Sequence, residues 1–201
     1  MMVECQNMRI LDIVAEATNV IAEGEVLQLM NTHDASLSED DYLLVIRSKT
    51  AKLFEASARL APILAQSDSA TEQACATYGQ ALGTAFQVVD DLLDYAGDST
   101  DFGKNLGDDL REGKTTLPLI LAMQNGSPEQ SQTIRNAIET GDLQALQQIV
   151  TIVRSTGALE ATQAAAAAEA QRAMAALSAL PPSPYREALH QLAAQLLNRR
   201  T

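Results

Sequence analysis

Three aspartates stand in an otherwise apolar segment of this chain. Asp90, Asp91 and Asp94 lie in the run FQVVDDLLDY, which covers residues 86–95. On a helix, Asp90 and Asp94 share a face and Asp91 lies about 100° round. A buried unpaired charge costs several kcal/mol, so the cluster predicts a positive partner. Carboxylates at this spacing favour a hard cation, Mg²⁺ carrying a substrate phosphate. The alternative is a solvated acidic patch, which the apolar neighbours disfavour.

The segment after these aspartates is punctuated by glycines and carries two lysines. It reads GDSTDFGKNLGDDLREGKTTLP over residues 97–118 and contains Lys104 and Lys114. Glycines let a backbone approach a bulky anion, and lysines pair with phosphate oxygens as point charges. Upstream, Lys49 stands within an amphipathic helical pattern. Together these residues predict a site for a metal-bridged diphosphate.

Four motifs in this order resemble the trans-type polyprenyl diphosphate synthase family, most closely its bacterial octaprenyl members. They are the run AEGEVLQL at residues 22–29, the pair Lys49-Thr50, the run GTAFQ at residues 83–87 that leads into the aspartates, and the loop that carries Lys104 and Lys114. The resemblance extends from Met1 to near the end of the chain. It implies an all-α fold of the isoprenoid-synthase helical-bundle type, with residues 1–201 as one domain.

The resemblance also implies an activity. It is a Mg²⁺-dependent prenyl transfer that adds isopentenyl diphosphate units to an allylic diphosphate, for which farnesyl diphosphate is the expected starter. The product is a long all-trans polyprenyl diphosphate, with octaprenyl for a quinone side chain as the expected length. Members of the family form homodimers or heteromers, and a homodimer is the expected assembly.

Metal binding falls to the aspartates. Asp90, Asp91 and Asp94 match the family's second aspartate-rich motif, which holds the allylic diphosphate through Mg²⁺. Asp108 and Asp109 are expected to ligate metal through water or to hold the second loop lysine, with Asp109 favoured.

Diphosphate binding and catalysis fall to lysines and neutral polar groups. Lys49, Lys104 and Lys114 match lysines that face the diphosphate or support the aspartates. Thr50 and Gln87 match polar groups beside the reacting carbon, whose oxygens stabilise a cation without being basic enough to quench it. The resemblance therefore makes Lys49, Thr50, Gln87 and Lys104 catalytic.

One departure from the family stands out. The family has two aspartate-rich motifs, and this chain carries only the second. The run Glu39-Asp40-Asp41 follows Ser38 and is interpreted as a helix start, not as the first motif. Met1 is accordingly expected to be an internal position of a longer ancestral chain. Two alternatives stay open beside the enzyme, namely a non-catalytic partner subunit and an inactive fragment.

Composition narrows the class of protein. The net charge of −12 argues against nucleic acid as a partner. No run of about 18 apolar residues predicts a membrane span, and no signal peptide is recognised. Cys5 and Cys75 are too few for a disulfide framework, which fits the cytoplasm. Aromatic residues make up 3% of the chain, so the core is expected to be aliphatic.

Helical periodicity and caps predict helices throughout. Their expected bounds are 2–32, 39–66, 69–95, 116–125, 128–139, 142–155, 157–180 and 184–198, with a loop between the third and fourth. The first helix is expected to lack an N-cap. No segment has the pattern of a strand, and His33 and His190 are interpreted as surface or core residues.

Overall fold

The structure is a computed structural model that describes residues 6–96 and 107–197. Within these ranges every regular element is helical, so the all-α prediction is confirmed. In chain order the α-helices are α1 (Met8–Met30), α2 (Glu39–Ile46), α3 (Lys52–Leu64), α4 (Ser69–Ala96), α5 (Asp108–Arg111), α6 (Leu117–Asn125), α7 (Pro128–Thr140), α8 (Leu146–Ser155), α9 (Ala158–Ala176) and α10 (Pro184–Leu196). Lys104 and Cys5 lie outside the described residues.

Several helix starts follow from side-chain caps. Ser38, Ser127 and Ser183 accept hydrogen bonds from backbone N–H groups in the first turns of α2, α7 and α10. The prediction that the first helix lacks an N-cap was wrong. The Asn7 side chain accepts from the Arg9 N–H at 3.0 Å, and α1 begins at Met8. Asparagine is among the best N-cap residues, so the signal was present in the sequence.

The predicted helix over residues 39–66 is interrupted. A π-helical turn, Arg47–Ala51, joins α2 to α3 and carries Lys49 and Thr50. A π-turn places one extra residue in the helical repeat and rotates the side chains that follow, which is why such turns recur at functional sites. Helical periodicity in the sequence does not reveal it.

Glycines bring two neighbouring helices against this π-turn. A Cβ at Gly24 of α1 would lie 2.6 Å from the Lys49 backbone nitrogen, and one at Gly83 of α4 would lie 2.7 Å from the Ala51 Cα. Real Cβ atoms do not approach that closely, so both positions require glycine. The backbones of α1 and α4 therefore enclose the turn from two sides.

The core is aliphatic, as the composition predicts. Helices α6 to α9 enclose Leu119, Ile134, Ile138 and Ile149, which are all fully buried. Helix α4 packs against α3 on one side and against the alanine-rich α9 on the other. Among the described helices, none has the length and apolar character needed to cross a membrane. That residues 1–201 form one domain stays a prediction.

The glycine contacts generate a test of how tightly the π-turn is held. Gly24→Ala places a methyl group against the Lys49 backbone, and overpacking of this kind costs about 1–3 kcal/mol. We expect urea unfolding of the 201-residue chain to show a loss of that size. Glu23→Ala, at an exposed neighbour on the same helix, is the control. Equal free energies of unfolding for the two variants would show that α1 does not press on the turn.

Candidate active site

A cavity of about 270 Å³ lies where α1, α2, the π-turn and α4 meet the segment after α5. Its wall contains nearly all the residues that the sequence singled out. Those that line it are Lys49, Thr50, Gln87, Asp90, Asp91, Asp109 and Lys114, together with Gln28 and Tyr42. Asp94 lies behind the wall, and Lys104 is outside the described residues. The structure thus brings together in one cavity residues that are far apart in the chain, such as Gln28 and Lys114.

Asp91 is buried, and both of its oxygens are already engaged. The Tyr42 hydroxyl donates to Oδ2 at 2.7 Å, and the Gln87 amide Nε2 donates to Oδ1 at 2.8 Å. Burial, followed by the negative charge of Asp109, raises the pKa of Asp91 to about 7, while the two hydrogen bonds act in the opposite direction. Asp91 therefore differs in kind from the two aspartates beside it, because it serves first as an anchor for two donors.

The hydrogen-bond network extends from Asp91 to the π-turn. The Thr50 hydroxyl donates to the Gln87 Oε1 at 3.1 Å. Since an ionised carboxylate can only accept, the Gln87 NH₂ must point to Asp91, and its oxygen is then left for Thr50. The network of Tyr42, Thr50, Gln87 and Asp91 joins α2, the π-turn and α4, and it orients the two polar groups that were expected to act together.

Asp94 and Asp109 form a second acidic centre next to the cavity. The Asp109 backbone N–H donates to Asp94 Oδ2 at 3.3 Å. Burial, and then the charge of Asp109, raise the pKa of Asp94 to about 6. Helix α5, which the sequence analysis interpreted as loop, presents Asp109 to both Asp94 and Lys114.

Both described lysines of the cavity are paired with carboxylates. Lys114 Nζ donates to Asp109 Oδ1 at 3.1 Å and pairs with Glu112 Oε2 at 2.7 Å. Burial acts to lower the pKa of Lys114, but Glu112 and Asp109 outweigh it and raise that pKa. The contact between Lys114 and Asp109 is the one expected from the sequence.

Lys49 has the corresponding arrangement with two residues of α1. Its Nζ donates to Gln28 Oε1 at 2.8 Å and pairs with Glu25 Oε2 at 2.6 Å. The carboxylate of Glu25 is 49% exposed, and that of Glu112 is 62% exposed. Exposed ion pairs contribute little stability, so either lysine can exchange its carboxylate for a phosphate oxygen at low cost.

The donor set fits a hard cation. Asp90 and Asp94 share a face of α4, and Asp109 is close enough to Asp94 to raise its pKa. A divalent cation would offset that repulsion, and oxygen ligands suit Mg²⁺. Among the described residues, however, no three acidic, histidine or cysteine side chains are already arranged as a metal site. Asp90, Asp91, Asp94 and Asp109 are the carboxylates that could hold the ion, since an oxygen that accepts one hydrogen bond keeps a further lone pair.

Tyr42 is the functional residue that the sequence analysis missed. It lies seven residues before Lys49, a spacing that places two residues on one face of a helix, and this was the available signal. Its side chain is 3% exposed and its hydroxyl reaches across 49 positions to Asp91. Only that long-range hydrogen bond gives Tyr42 its importance.

Removal of the Tyr42 hydroxyl should destabilise the chain. Tyr42→Phe leaves a buried carboxylate oxygen without a donor, and a hydrogen bond to a charged group contributes about 1.5–3 kcal/mol. We expect a loss of this order in urea unfolding at pH 8, where Asp91 is ionised. Tyr185→Phe is the control, because Tyr185 is 83% exposed. A loss no larger than that of the control would contradict the role of the hydroxyl.

Asp91 should also make stability depend on pH. Its folded pKa of about 7 lies above the ordinary value of 3.8, so its contribution is present at low pH and is lost as pH rises through 7. We expect the free energy of unfolding, measured in EDTA, to fall between pH 5 and 8 more steeply in the wild type than in Asp91→Asn. The limiting difference in slope is about 1.4 kcal/mol per pH unit. Asp12→Asn, at an exposed position of α1, should keep the wild-type slope, and parallel curves for Asp91→Asn would refute the buried charge.

Comparison with known proteins finds a matching family model and similar sequences. A family model described as Polyprenyl synthetase covers residues 1–154. Octaprenyl diphosphate synthase of Escherichia coli (strain K12) is 51% identical over 194 residues, which are 96% of this chain and 60% of that protein. The all-trans-nonaprenyl-diphosphate synthase (geranyl-diphosphate specific) of Rhodobacter capsulatus is 45% identical over 199 residues, which are 99% of this chain and 61% of that protein.

Solved structures agree. A polyprenyl synthase of Caulobacter crescentus CB15, complexed with calcium and isoprenyl diphosphate, superimposes with a TM-score of 0.93 at 44% identity, over 100% of this chain and 62% of that one. The chain thus spans about 60% of the length of the relatives it matches. The predicted resemblance is confirmed by a family match over most of the chain and a shared helical fold: this chain belongs to the polyprenyl synthetase family.

Proposed function

We propose that this chain is a Mg²⁺-dependent trans-prenyltransferase, which adds isopentenyl diphosphate units to an allylic diphosphate. The observation that carries the proposal is the cavity that Lys49 and Lys114 line together with Asp90, Asp91 and Asp109. Lysines can pair with the oxygens of a diphosphate leaving group, and carboxylates can hold the cation that accompanies it. The relatives named octaprenyl diphosphate synthase support octaprenyl diphosphate as the product, and farnesyl diphosphate is the proposed starter.

Each group has a part in the departure of diphosphate. When bound, Mg²⁺ would be held by Asp90, Asp91, Asp94 and Asp109 and would neutralise charge on the diphosphate oxygens. Lys49 and Lys114 exchange their exposed glutamate partners for diphosphate oxygens and stabilise the charge that develops on them. These interactions strengthen as the carbon–oxygen bond breaks, which is the condition for catalysis.

Thr50 and Gln87 suit the carbocation that remains after the diphosphate leaves. Thr50 and Gln87 are neutral, and their oxygens can face a positive carbon without removing a proton from it. The hydrogen bond from Gln87 to Asp91 holds the pair in place before the reaction begins. Pre-organised dipoles of this sort cost no rearrangement at the moment of reaction. Lys104, which the resemblance also makes catalytic, belongs to the same proposal, although it lies outside the described residues.

A second candidate is a partner subunit in a heteromeric synthase. One relative, 34% identical over 99% of this chain, is named decaprenyl-diphosphate synthase subunit 1, of Schizosaccharomyces pombe. The chain spans only 53% of that protein. Under this reading the chain holds the allylic diphosphate and another chain completes the site. If the chain is instead the enzyme itself, we propose that it forms a homodimer.

Turnover tests the enzymatic proposal. The untagged protein, purified from its own cells with whatever accompanies it, is assayed with farnesyl diphosphate, labelled isopentenyl diphosphate and Mg²⁺. We expect Asp90→Ala to lower turnover by about 10²–10³, as the loss of one electrostatic stabiliser does. Asp12→Ala, at an exposed carboxylate of α1 that does not line the cavity, should keep wild-type turnover. Normal turnover in Asp90→Ala would refute the enzymatic proposal. Activity that depends on a stoichiometric second chain would favour the partner-subunit alternative.

Diphosphate affinity tests the role of the lysines separately. Lys114→Met keeps much of the side chain's length but removes its charge and its donors. Loss of a charge-assisted hydrogen bond of about 1.5–3 kcal/mol corresponds to affinity about 10- to 100-fold weaker. Calorimetric titration with inorganic diphosphate and Mg²⁺ measures it. Lys52→Met is matched, because Lys52 pairs with Glu16 and Glu55 away from the cavity. Equal affinities for the two variants would remove Lys114 from the site.

A further inference from the structure

The residues on both sides of Lys114 are tied to one short linker. This linker, residues 31–38, joins α1 to α2. The His33 backbone N–H donates to the Gly113 carbonyl at 2.8 Å. The Thr115 hydroxyl donates to the Asp34 carbonyl, also at 2.8 Å. The two neighbours of Lys114 are therefore hydrogen-bonded to consecutive residues of the linker.

His33 has a left-handed backbone conformation. Its φ is +64°, in a region that few residues other than glycine adopt, although histidine is found there more often than most. Gly113 has a φ of +70°, and a Cβ there would lie 2.5 Å from the His33 ring. Glycine is thus required at position 113 for two reasons. Its backbone has a positive φ, and the His33 ring leaves no space for a Cβ. A strained residue packed against such a glycine marks a contact that the surrounding structure enforces.

The His33 ring also reaches the core. Its Nδ1 lies 2.7 Å from the Ile138 carbonyl oxygen near the end of α7. Because a carbonyl can only accept, Nδ1 must carry the proton and donate. Ile138 itself is fully buried among the side chains of α6 to α9. A second bond, from Arg135 of α7 to the Ala35 carbonyl at 3.2 Å, fastens the same linker to that helix.

We propose that His33 is the positioning residue for Lys114. Its ring and backbone clamp the turn at Gly113 onto α7, so that the Lys114 ammonium stands beside Asp109 at the cavity edge. The lysine stem has four rotatable bonds, and a displaced backbone would leave the ammonium paired with the exposed Glu112. The effect on binding rests on the proposed function, since it assumes that Lys114 receives a diphosphate.

The test uses two independent measurements on the 201-residue chain. Amide hydrogen exchange reports the turn directly, because the Lys114 N–H donates to the Asp109 carbonyl at 2.9 Å. Calorimetric titration with inorganic diphosphate and Mg²⁺ reports the site. In His33→Ala we expect faster exchange at Lys114, unchanged exchange in α9, and affinity about tenfold weaker, the size of one lost charge-assisted hydrogen bond. His190→Ala, on α10, is the matched control and should change neither.

Two further variants separate positioning from other roles. Asparagine tolerates positive φ, but its side chain is too short to reach Ile138, so His33→Asn should resemble His33→Ala. Wild-type exchange and affinity in His33→Asn would overturn the clamp. In a Lys114→Met background, His33→Ala should have little added effect on affinity, because the two act through one ammonium. If the effects of His33→Ala and Lys114→Met on affinity were fully additive, His33 would not act through Lys114.

The two proposals fail in different ways. If the wild-type chain binds no Mg²⁺–diphosphate, the proposed function of this chain is refuted, and exchange at Lys114 still decides whether His33 clamps the turn. If the chain binds diphosphate and His33→Ala leaves exchange at Lys114 unchanged, the clamp is refuted and the function stands.

Discussion

A carboxylate buried in the middle of a helix can persist only where donors reach it. Asp91 is 3% exposed, and its two donors come from different parts of the chain, Tyr42 of α2 and Gln87 one turn earlier in α4. Gln87 in turn accepts from Thr50. The need to satisfy one buried charge therefore fixes α2, the π-turn and α4 relative to one another, and it places the polar groups of the cavity wall.

Close backbone approach makes that arrangement possible. Gly24 and Gly83 let α1 and α4 touch the π-turn from either side, so the turn that carries Lys49 and Thr50 has no room to shift. The extra residue of the π-turn then directs both side chains to the cavity. Substitutions that fill either glycine position act on the site through the backbone rather than through any group that contacts a ligand.

The charged side chains of the cavity have partners that a ligand could replace. In a chain of net charge −12, Lys49 and Lys114 are each paired with an exposed glutamate, while the aspartates behind them are buried and repel one another. Under the proposed function, a diphosphate with a divalent cation would relieve both conditions, because the lysines would gain a better partner and the aspartates a counter-ion. The glutamate partners of the lysines are the groups that such a ligand would replace.

The sequence by itself determined the helical class, most helix bounds and most of the residues that meet in the cavity. These follow from caps, prolines, periodicity and spacing, which act over one or two turns, and from motifs that resemble a family. The tertiary structure alone decided that Asp91 is an anchor, that Tyr42 supports it, that a π-turn carries Lys49, and that His33 has positive φ. Each of these depends on contacts between residues distant in the chain, such as the 49 positions from Tyr42 to Asp91. Burial and hydrogen-bond pairing at that range are set by how the helices pack, and local sequence pattern does not encode them.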